Sequence, residues 1–174
     1  MPLPHAVVEL LFQSKMTIIC SWNVNSIRVR EGHVSNFIQE LKPDILLIQE
    51  IKCMNEEFPN FLEDIGYKVI INGQKAKYGV ATIFKENLET KSIEIKNETL
   101  NSQSRVQIIN FKSLNLNVVN LYTPNGNPIS DTNKFQFKLK WYDEIYKILK
   151  NYTDKKQNLL VGGDFNVIEN TKDA

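Results

Sequence analysis

The sequence predicts one α+β domain in which helices cover the outer faces of β-sheets. A strand–helix–strand unit opens the chain, and several strand-like segments then follow one another before the next helix. Consecutive strands favour antiparallel pairing, with helices on the sheet faces. A regularly alternating, doubly wound parallel sheet is therefore not expected. The length of 174 residues suits one domain with a sizeable core.

The individual elements follow from the spacing of apolar residues. Residues 17–22 and 45–49 are short, continuous apolar runs, which are typical of buried strands. Between them, apolar residues at helical spacing predict a helix that ends at a proline: Val34, Phe37, Ile38 and Leu41. Further strands are predicted at 67–71, 79–84, 89–95, 105–111, 116–121 and 158–163. A second helix over about 135–150 has a predicted apolar face made of Phe135, Leu139, Tyr142, Ile145 and Leu149.

Composition limits the possible functions only weakly. The formal net charge is +1, so contact with nucleic acid would need a local basic patch. Only three of the 21 basic residues are arginines, namely Arg28, Arg30 and Arg105. Cys20 and Cys53 are predicted to be free thiols in a reducing cytoplasm. No apolar run approaches the ~18 residues that a membrane span needs.

The N-terminal segment does not match the domain pattern. Residues 1–15 are predicted to be an uncertain extension, and residues 16–174 to form the domain. Glu9 interrupts the short apolar stretch and no basic residue precedes it, so the segment is a poor signal peptide. Translation from Met16 is an alternative start.

Polar side chains follow four of the apolar strands at the point where each strand ends. These residues are Asn23 and Asn25, Glu50, Tyr122, and Asp164 and Asn166. Because a sheet fixes the ends of its strands, such side chains can converge on one point. Carboxylates and carboxamides without His or Cys form an oxygen-rich site that suits Mg²⁺ or Mn²⁺.

Each of these residues also has an ordinary explanation. Glu50 fits a solvated loop carboxylate, and Tyr122 fits a half-buried core aromatic. Asn23 and Asn25 suit turns, and Asp164 after two glycines suits an Asx turn. Residue types alone therefore indicate a candidate divalent-metal site and no more.

Five sequence blocks, in order, resemble the exonuclease III family of the endonuclease/exonuclease/phosphatase superfamily. The blocks are WNVNSIR at 22–28, LLIQEIK at 46–52, GQKAKYGVA at 73–81, NLYTPNG at 120–126 and GGDFNV at 162–167. The segment KFQFKLKW at 134–141 is similar to the family's helix after the tyrosine loop. The resemblance spans Met16 to Asp173. It implies a four-layer αββα sandwich of the deoxyribonuclease I-like type, truncated at its C-terminus.

The resemblance also assigns roles around a bound Mg²⁺ or Mn²⁺ ion. The residues that it places near the metal or its waters are Asn23, Asn25, Glu50, Asp164 and Asn166. Many relatives have Asp where Asn25 stands. Tyr122 would hydrogen-bond the scissile phosphate, Asp164 would transfer protons, and Asn166 would stabilise the phosphoryl transition state.

Double-stranded DNA, at abasic sites or 3′ ends, is the substrate that the resemblance implies, with the protein acting as a monomer. The loop 73–79 resembles the family's DNA-gripping loop, so Gln74, Lys75 and Lys77 are predicted to contact phosphates, with Asn125 near the groove. The alternative is a solvated, lysine-bearing hairpin loop.

Members of that family are longer, and their catalytic histidine lies in a Ser-Asp-His block that this chain lacks. By position, neither His5 nor His33 replaces it. We therefore expect a truncated enzyme whose activity is in doubt and whose sheet edges are exposed. The alternatives are an inert fragment or weak DNA-binding remnant, and a small-molecule or lipid phosphoesterase of the same superfamily.

Overall fold

The computed structural model describes residues 6–12, 15–128 and 130–167, with side chains described from residue 16 onward. The strands are β1 Ala6–Phe12, β2 Lys15–Asn23, β3 Ile45–Gln49, β4 Tyr67–Asn72, β5 Val80–Lys85, β6 Thr90–Ser92, β7 Val106–Phe111, β8 Leu116–Tyr122 and β9 Leu159–Asp164. The helices are α1 Ile27–Leu41, α2 Glu98–Asn101 and α3 Thr132–Asp154. Short 3₁₀ turns cover Asn55–Glu57, Glu63–Ile65 and Lys112–Leu114.

The strands form two mixed sheets. The first has the order β1-β2-β3-β5-β4 and the second the order β6-β7-β8-β9. One pair in each sheet is parallel, β2 with β3 and β8 with β9, and the other pairs are antiparallel. Each parallel pair brings two strand C-termini to one edge of its sheet.

Three apolar clusters define the layers. One lies between α1 and the outer face of the first sheet and includes Trp22, Val34, Ile38, Leu46 and Ile48. The second lies between the two sheets and includes Ile19, Leu47, Phe84, Ile109 and Phe111. The third joins the outer face of the second sheet to α2 and α3 and includes Leu100, Val119, Leu121, Trp141 and Ile145. The layers are thus helix, sheet, sheet and helix, so the predicted αββα sandwich is confirmed.

Buried amides cross-link the two sheets next to the end of β3. Gln49 Nε2 donates to Asn120 Oδ1 at 2.8 Å, and Asn120 Nδ2 donates to the Ala81 carbonyl at 2.9 Å. Thr82 Oγ1 donates to Gln107 Oε1 at 3.0 Å. Since leaving a buried amide unpaired is costly, this network favours one relative placement of the sheets. It therefore sets how close the end of the first sheet lies to the end of the second.

Most predicted elements are present, with shifted limits. The strand predicted at 89–95 is shorter, since β6 covers only Thr90–Ser92. The predicted apolar face of α3 was partly wrong: Leu139 is 43% exposed, whereas Trp141 and Ile145 are buried. The side chains of α3 that pack on the sheet recur at spacings of three and four that begin at Phe137.

Two elements were not predicted. Helix α2 is a single turn capped by the side chain of Asn97, which accepts from Leu100 N at 3.0 Å. Strand β1 lies inside the segment predicted as an uncertain extension and pairs antiparallel with β2. Cys20 and Cys53 are buried free thiols. In the described ranges, no helix has the length and apolarity that crossing a membrane requires.

Candidate active site at the strand ends

The ends of β2, β3, β8 and β9 bring the predicted polar residues to one edge of the sandwich. In the first sheet Asn23 is in register with Gln49, so Glu50 directly follows the neighbouring strand. In the second sheet Tyr122 is in register with Asp164. Because the two sheets pack face to face, these two parallel pairs meet at a common point.

The side-chain amide of Asn23 joins a carboxylate from each sheet. Asn23 Nδ2 donates to Glu50 Oε1 at 2.8 Å and to Asp164 Oδ2 at 2.8 Å. Both carboxylates are partly buried. Three of the residues predicted from strand ends are therefore in direct contact, and their oxygens face the same small volume.

Lys52 is a member of this group that the sequence did not identify. Its Nζ lies 2.9 Å from Glu50 Oε2 and also donates to Asn25 Oδ1. Burial raises the pKa of Glu50, but hydrogen bonds from Asn23, Lys52 and Tyr122 and the charge of Lys52 outweigh it, and the pKa is lowered overall. Glu50 is therefore ionised at neutral pH. The only signal for Lys52 was its position two residues after Glu50 in LLIQEIK.

Tyr122 is a neutral hydrogen-bond donor in this environment. Burial, the negative charge of Glu50 and a hydrogen bond to Glu50 raise the pKa of Tyr122 to about 12, although Arg105 opposes the shift. The phenol therefore keeps its proton across the physiological range.

The turn after β9 is an Asx turn, as the ordinary explanation predicted. Asn166 N donates to Asp164 Oδ1 at 2.9 Å, and Asn166 Nδ2 donates to the Thr123 carbonyl at 2.8 Å. Thr123 N in turn donates to the Asp164 carbonyl at 2.9 Å. The Asx turn does not exclude a chemical role, because Asp164 Oδ2 still faces Asn23 and Glu50.

Helix α3 supports the loops after β8 and β9. Lys138 Nζ donates to the Asn125 carbonyl at 3.1 Å and to the Asn166 carbonyl at 2.7 Å. Tyr142 Oη donates to the Phe165 carbonyl at 2.6 Å. The side chain of Asn125, in the loop after β8, is exposed. Neither Lys138 nor Tyr142 was predicted as a site residue, since KFQFKLKW marked a helix without showing which side chains reach the loops.

A cleft of about 590 Å³ opens beside Asp164, and its lining includes Ser21, Asn23, Gln49, Asn125 and Asn166. A larger cleft of about 660 Å³ lies beside the C-terminal end of α1 and contains none of the predicted site residues. Among the residues with described side chains, no three His, Cys, Asp or Glu residues form a cluster. The donor set is thus two carboxylates with carboxamides, a set that fits a small hard cation.

The backbone is strained at this edge. Glu50 and Lys52 have φ values of 55° and 53°, in the left-handed region that such residues rarely adopt. Asn25 and Asn166, at 45° and 48°, tolerate that region better. Glu50 is held there by a hydrogen bond from Ser26 N to its carbonyl at 2.7 Å. Such strain concentrates at functional sites.

The predicted DNA-contacting loop lies next to this edge. Lys52 N donates to the carbonyl of Tyr78, the last residue before Gly79, at 3.0 Å. Lys75 and Lys77 are exposed, and neither forms an ion pair with any side chain that the structure describes. Gln74 differs, because its Oε1 accepts from Ser104 N at 3.0 Å. The two lysines are thus free to meet a partner, whereas Gln74 anchors the loop.

Comparison with known proteins decides the family. Residues 20–172 match the sequence profile of the Endonuclease/Exonuclease/phosphatase family. The chain belongs to the endonuclease/exonuclease/phosphatase family. The matched range contains Asn23, Glu50 and Asp164.

Relatives and solved structures agree with that assignment. The chain is 31% identical over 150 residues to exodeoxyribonuclease III of Haemophilus influenzae, covering 84% of this chain and 56% of that protein. An AP endonuclease from Archaeoglobus fulgidus superposes with a TM-score of 0.78 at 33% identity, covering 88% of this chain and 58% of that one. A 3′ phosphatase from Neisseria, bound to a product DNA hairpin, has a TM-score of 0.78 at 28% identity, with 90% and 60% covered. The chain spans a little over half the length of these relatives.

Proposed function

We propose that this family member carries the metal-binding and phosphate-orienting part of a DNA phosphodiesterase of the exodeoxyribonuclease III or abasic-site endonuclease type. The single observation that carries the proposal is the bridge from Asn23 to Glu50 and Asp164. It joins two carboxylates from different sheets, next to a neutral tyrosine donor. Phosphodiester hydrolysis needs this combination of anionic metal ligands and uncharged donors.

The donor set fits Mg²⁺ or Mn²⁺. Glu50 and Asp164 would supply carboxylate oxygens. Carboxamide oxygens would come from Asn23, Asn25 and Asn166 at the same edge of the sandwich. The lowered pKa of Glu50 keeps its carboxylate ionised at neutral pH, as a metal ligand must be. When bound, the ion would offset charge on the phosphate and lower the pKa of a bound water.

The remaining residues act on the phosphate and its protons. Tyr122 donates a hydrogen bond to a non-bridging phosphate oxygen, since its phenol stays protonated. Asn166 supplies its carboxamide to the phosphate without adding negative charge. Asp164 accepts or returns a proton at the attacking water or the leaving oxygen, an effect typically worth about 10²–10⁴ in rate.

Duplex DNA is the substrate that the exposed lysines favour. Lys75 and Lys77 are exposed on a loop that accepts a hydrogen bond from Lys52 N, two residues after Glu50. This position suits contacts with the phosphates that flank the scissile bond. A nucleic-acid backbone offers a series of phosphates to both lysines, whereas a substrate with a single phosphate does not. Binding through these lysines is independent of base sequence and weakens as salt rises.

One observation favours a second candidate, a binding remnant without turnover. His33 is the only histidine in the described ranges, and it is exposed on α1 rather than placed among the carboxylates. A chain with the metal and phosphate contacts but with no imidazole beside them would bind metal and DNA without cutting DNA efficiently.

The test compares Glu50→Gln with Glu40→Gln, an equivalent change at an exposed position of α1. We measure Mn²⁺ binding and incision of a duplex with one abasic site in Mg²⁺. We expect Mn²⁺ binding and incision to be lost in Glu50→Gln and retained in Glu40→Gln. Glu50-dependent Mn²⁺ binding without incision in any variant would identify the binding remnant. Mn²⁺ binding and incision that are equal in both variants would contradict the metal site.

A further inference from the structure

The guanidinium of Arg105 packs against the rings of two neighbouring tyrosines. Its Cζ is 3.8 Å from the ring centroid of Tyr78 and 4.5 Å from that of Tyr122. The two centroids are 6.3 Å apart. Arg105 is only 5% exposed, and it forms no ion pair with a carboxylate of the described residues. The rings and nearby carbonyls therefore stabilise a buried positive charge.

Arg105 also holds the backbone at the end of β8. Its Nη1 donates to the Tyr122 carbonyl at 3.1 Å and to the Thr123 carbonyl at 3.3 Å. Its own carbonyl accepts from Tyr122 N at 2.8 Å. Tyr122 is thus fixed by Arg105 at both its ring and its main chain.

The same segment anchors both ends of the loop 73–79. Ser104 Oγ donates to the Gly73 carbonyl at 2.9 Å, and Gly79 N donates to the Ser104 carbonyl at 3.0 Å. Tyr78 adds the ring contact with Arg105. Ser104 and Arg105 therefore hold both the loop 73–79 and Tyr122, although these come from different parts of the chain.

Lysine cannot reproduce this arrangement. A planar guanidinium can pack a face against an aromatic ring while donating in its own plane, whereas an ammonium is a compact, strongly hydrated point charge. Most basic residues of this chain are lysines, with only three arginines among 21 basic residues.

We propose that Arg105 is a positioning residue that holds the loop 73–79 and Tyr122 as one unit. In this arrangement the lysines that contact DNA and the phenol that contacts the phosphate keep a fixed spacing. This inference rests on the proposed function, because it assigns the loop to DNA and Tyr122 to the phosphate. Arg105 itself is assigned no contact with DNA or with the scissile phosphate.

The first measurement tests the stacking without requiring activity. A chain labelled with ¹⁵N-arginine has three Nε–H signals, and Arg105→Lys identifies the one from Arg105. We expect ring currents and burial to set that signal apart, and Tyr78→Leu to move it. Tyr146→Leu, a change at an exposed tyrosine of α3, should leave it in place. A signal that resembles those of Arg28 and Arg30, or that ignores Tyr78→Leu, overturns the inference.

The second measurement tests the coupling by a double-mutant cycle on DNA affinity. Lys77→Ala and Tyr122→Phe are combined, and Kd is measured for a duplex with a stable abasic analogue, in Ca²⁺. Coupled positions should deviate from additivity by about threefold or more in Kd. The deviation should vanish in an Arg105→Lys background and persist in Arg30→Lys, a matched change on α1.

The outcomes separate this inference from the proposed function. Duplex binding with additive effects, or with equal coupling in the Arg105→Lys and Arg30→Lys backgrounds, overturns the positioning role and leaves the function standing. If the chain is folded and its Arg105 Nε–H signal responds to Tyr78→Leu, but the chain has no affinity for the duplex, the proposed function is wrong. The positioning role is then wrong as well, because it depends on that function.

Discussion

At the scale of single residues, Gly163 shows how tightly the site is built. Its φ is +137°, and a Cβ placed there would lie 2.0 Å from the Leu121 carbonyl oxygen. Asp164 follows directly, so the missing side chain lets β9 approach β8 next to the carboxylate that Asn23 contacts. Glycine is therefore a steric requirement at this position.

We predict that Gly163→Ala lowers the free energy of unfolding by about 3 kcal/mol or more, since it combines a left-handed strain with a backbone clash. Gly32→Ala is the matched control, because it lies in α1 with nothing within 4 Å of the added Cβ. There we expect a gain of about 0.5–1 kcal/mol from reduced chain entropy in a helix. Urea unfolding followed by circular dichroism measures both. A Gly163→Ala variant as stable as the parent chain would show that the approach of β9 to β8 is looser than described.

The residue types of the site were predictable, but their contacts were not. Asn23, Glu50 and Asp164 follow apolar strands, and that local pattern is visible in the sequence. The bridging role of Asn23, the ion pair of Lys52 and the inward-facing Gln74 depend on partners far away in the chain. Asn23 and Asp164, for example, are 141 positions apart.

At the scale of elements, α3 connects the core to the site. Trp141 is fully buried against the outer face of the second sheet, while Lys138 and Tyr142 reach the loops that carry Asn166. The same helix therefore contributes packing energy from one side and loop support from another. The predicted face missed this, because it included Leu139 and left out Trp141.

We predict that Trp141→Ala destabilises the chain by about 3–5 kcal/mol, the usual cost of emptying a buried aromatic site. Trp141→Phe should cost only about 1 kcal/mol or less, because the indole Nε1 is buried without a hydrogen-bond partner among the described residues. Removing an unpaired donor offsets part of the lost packing. Urea unfolding midpoints measure both variants. If Trp141→Phe proved as damaging as Trp141→Ala, the indole nitrogen would have to be hydrogen-bonded.

Strand positions were the most predictable feature at this scale. Continuous apolar runs such as 45–49 are recognisable because both faces of β3 are buried. The short β6 and the single-turn α2 were misjudged or missed, since a few residues carry too little periodicity. Strand β1 likewise depends on its pairing with β2.

At the scale of the whole molecule, the central strands and the edge strand β9 differ in how much of their surface is covered. The strand β3 is buried along its whole length, whereas every residue of β9 is only half-buried. Within the described part of the second sheet, β9 is an edge strand paired with β8 alone. Its apolar residues Leu159, Leu160 and Val161 are therefore partly accessible to water.

We predict that the purified 174-residue chain binds 8-anilinonaphthalene-1-sulfonate and associates as its concentration rises, because half-buried edge strands invite further pairing. Dye fluorescence and sedimentation measure the two effects. A sharp, cooperative thermal transition with little dye binding and a monomeric mass at high concentration would contradict this prediction.

The sequence by itself determined where the apolar strands run, which polar residues end them, and to which family the ordered blocks belong. Those properties are local, since periodicity and short motifs depend on neighbours within a few positions. Only the tertiary structure decided how the strands divide between two sheets, that one amide joins Glu50 to Asp164, and that Arg105 packs against both Tyr78 and Tyr122. These features arise because packing brings together residues that are remote in the chain, and hydrogen-bond geometry then selects one arrangement of them.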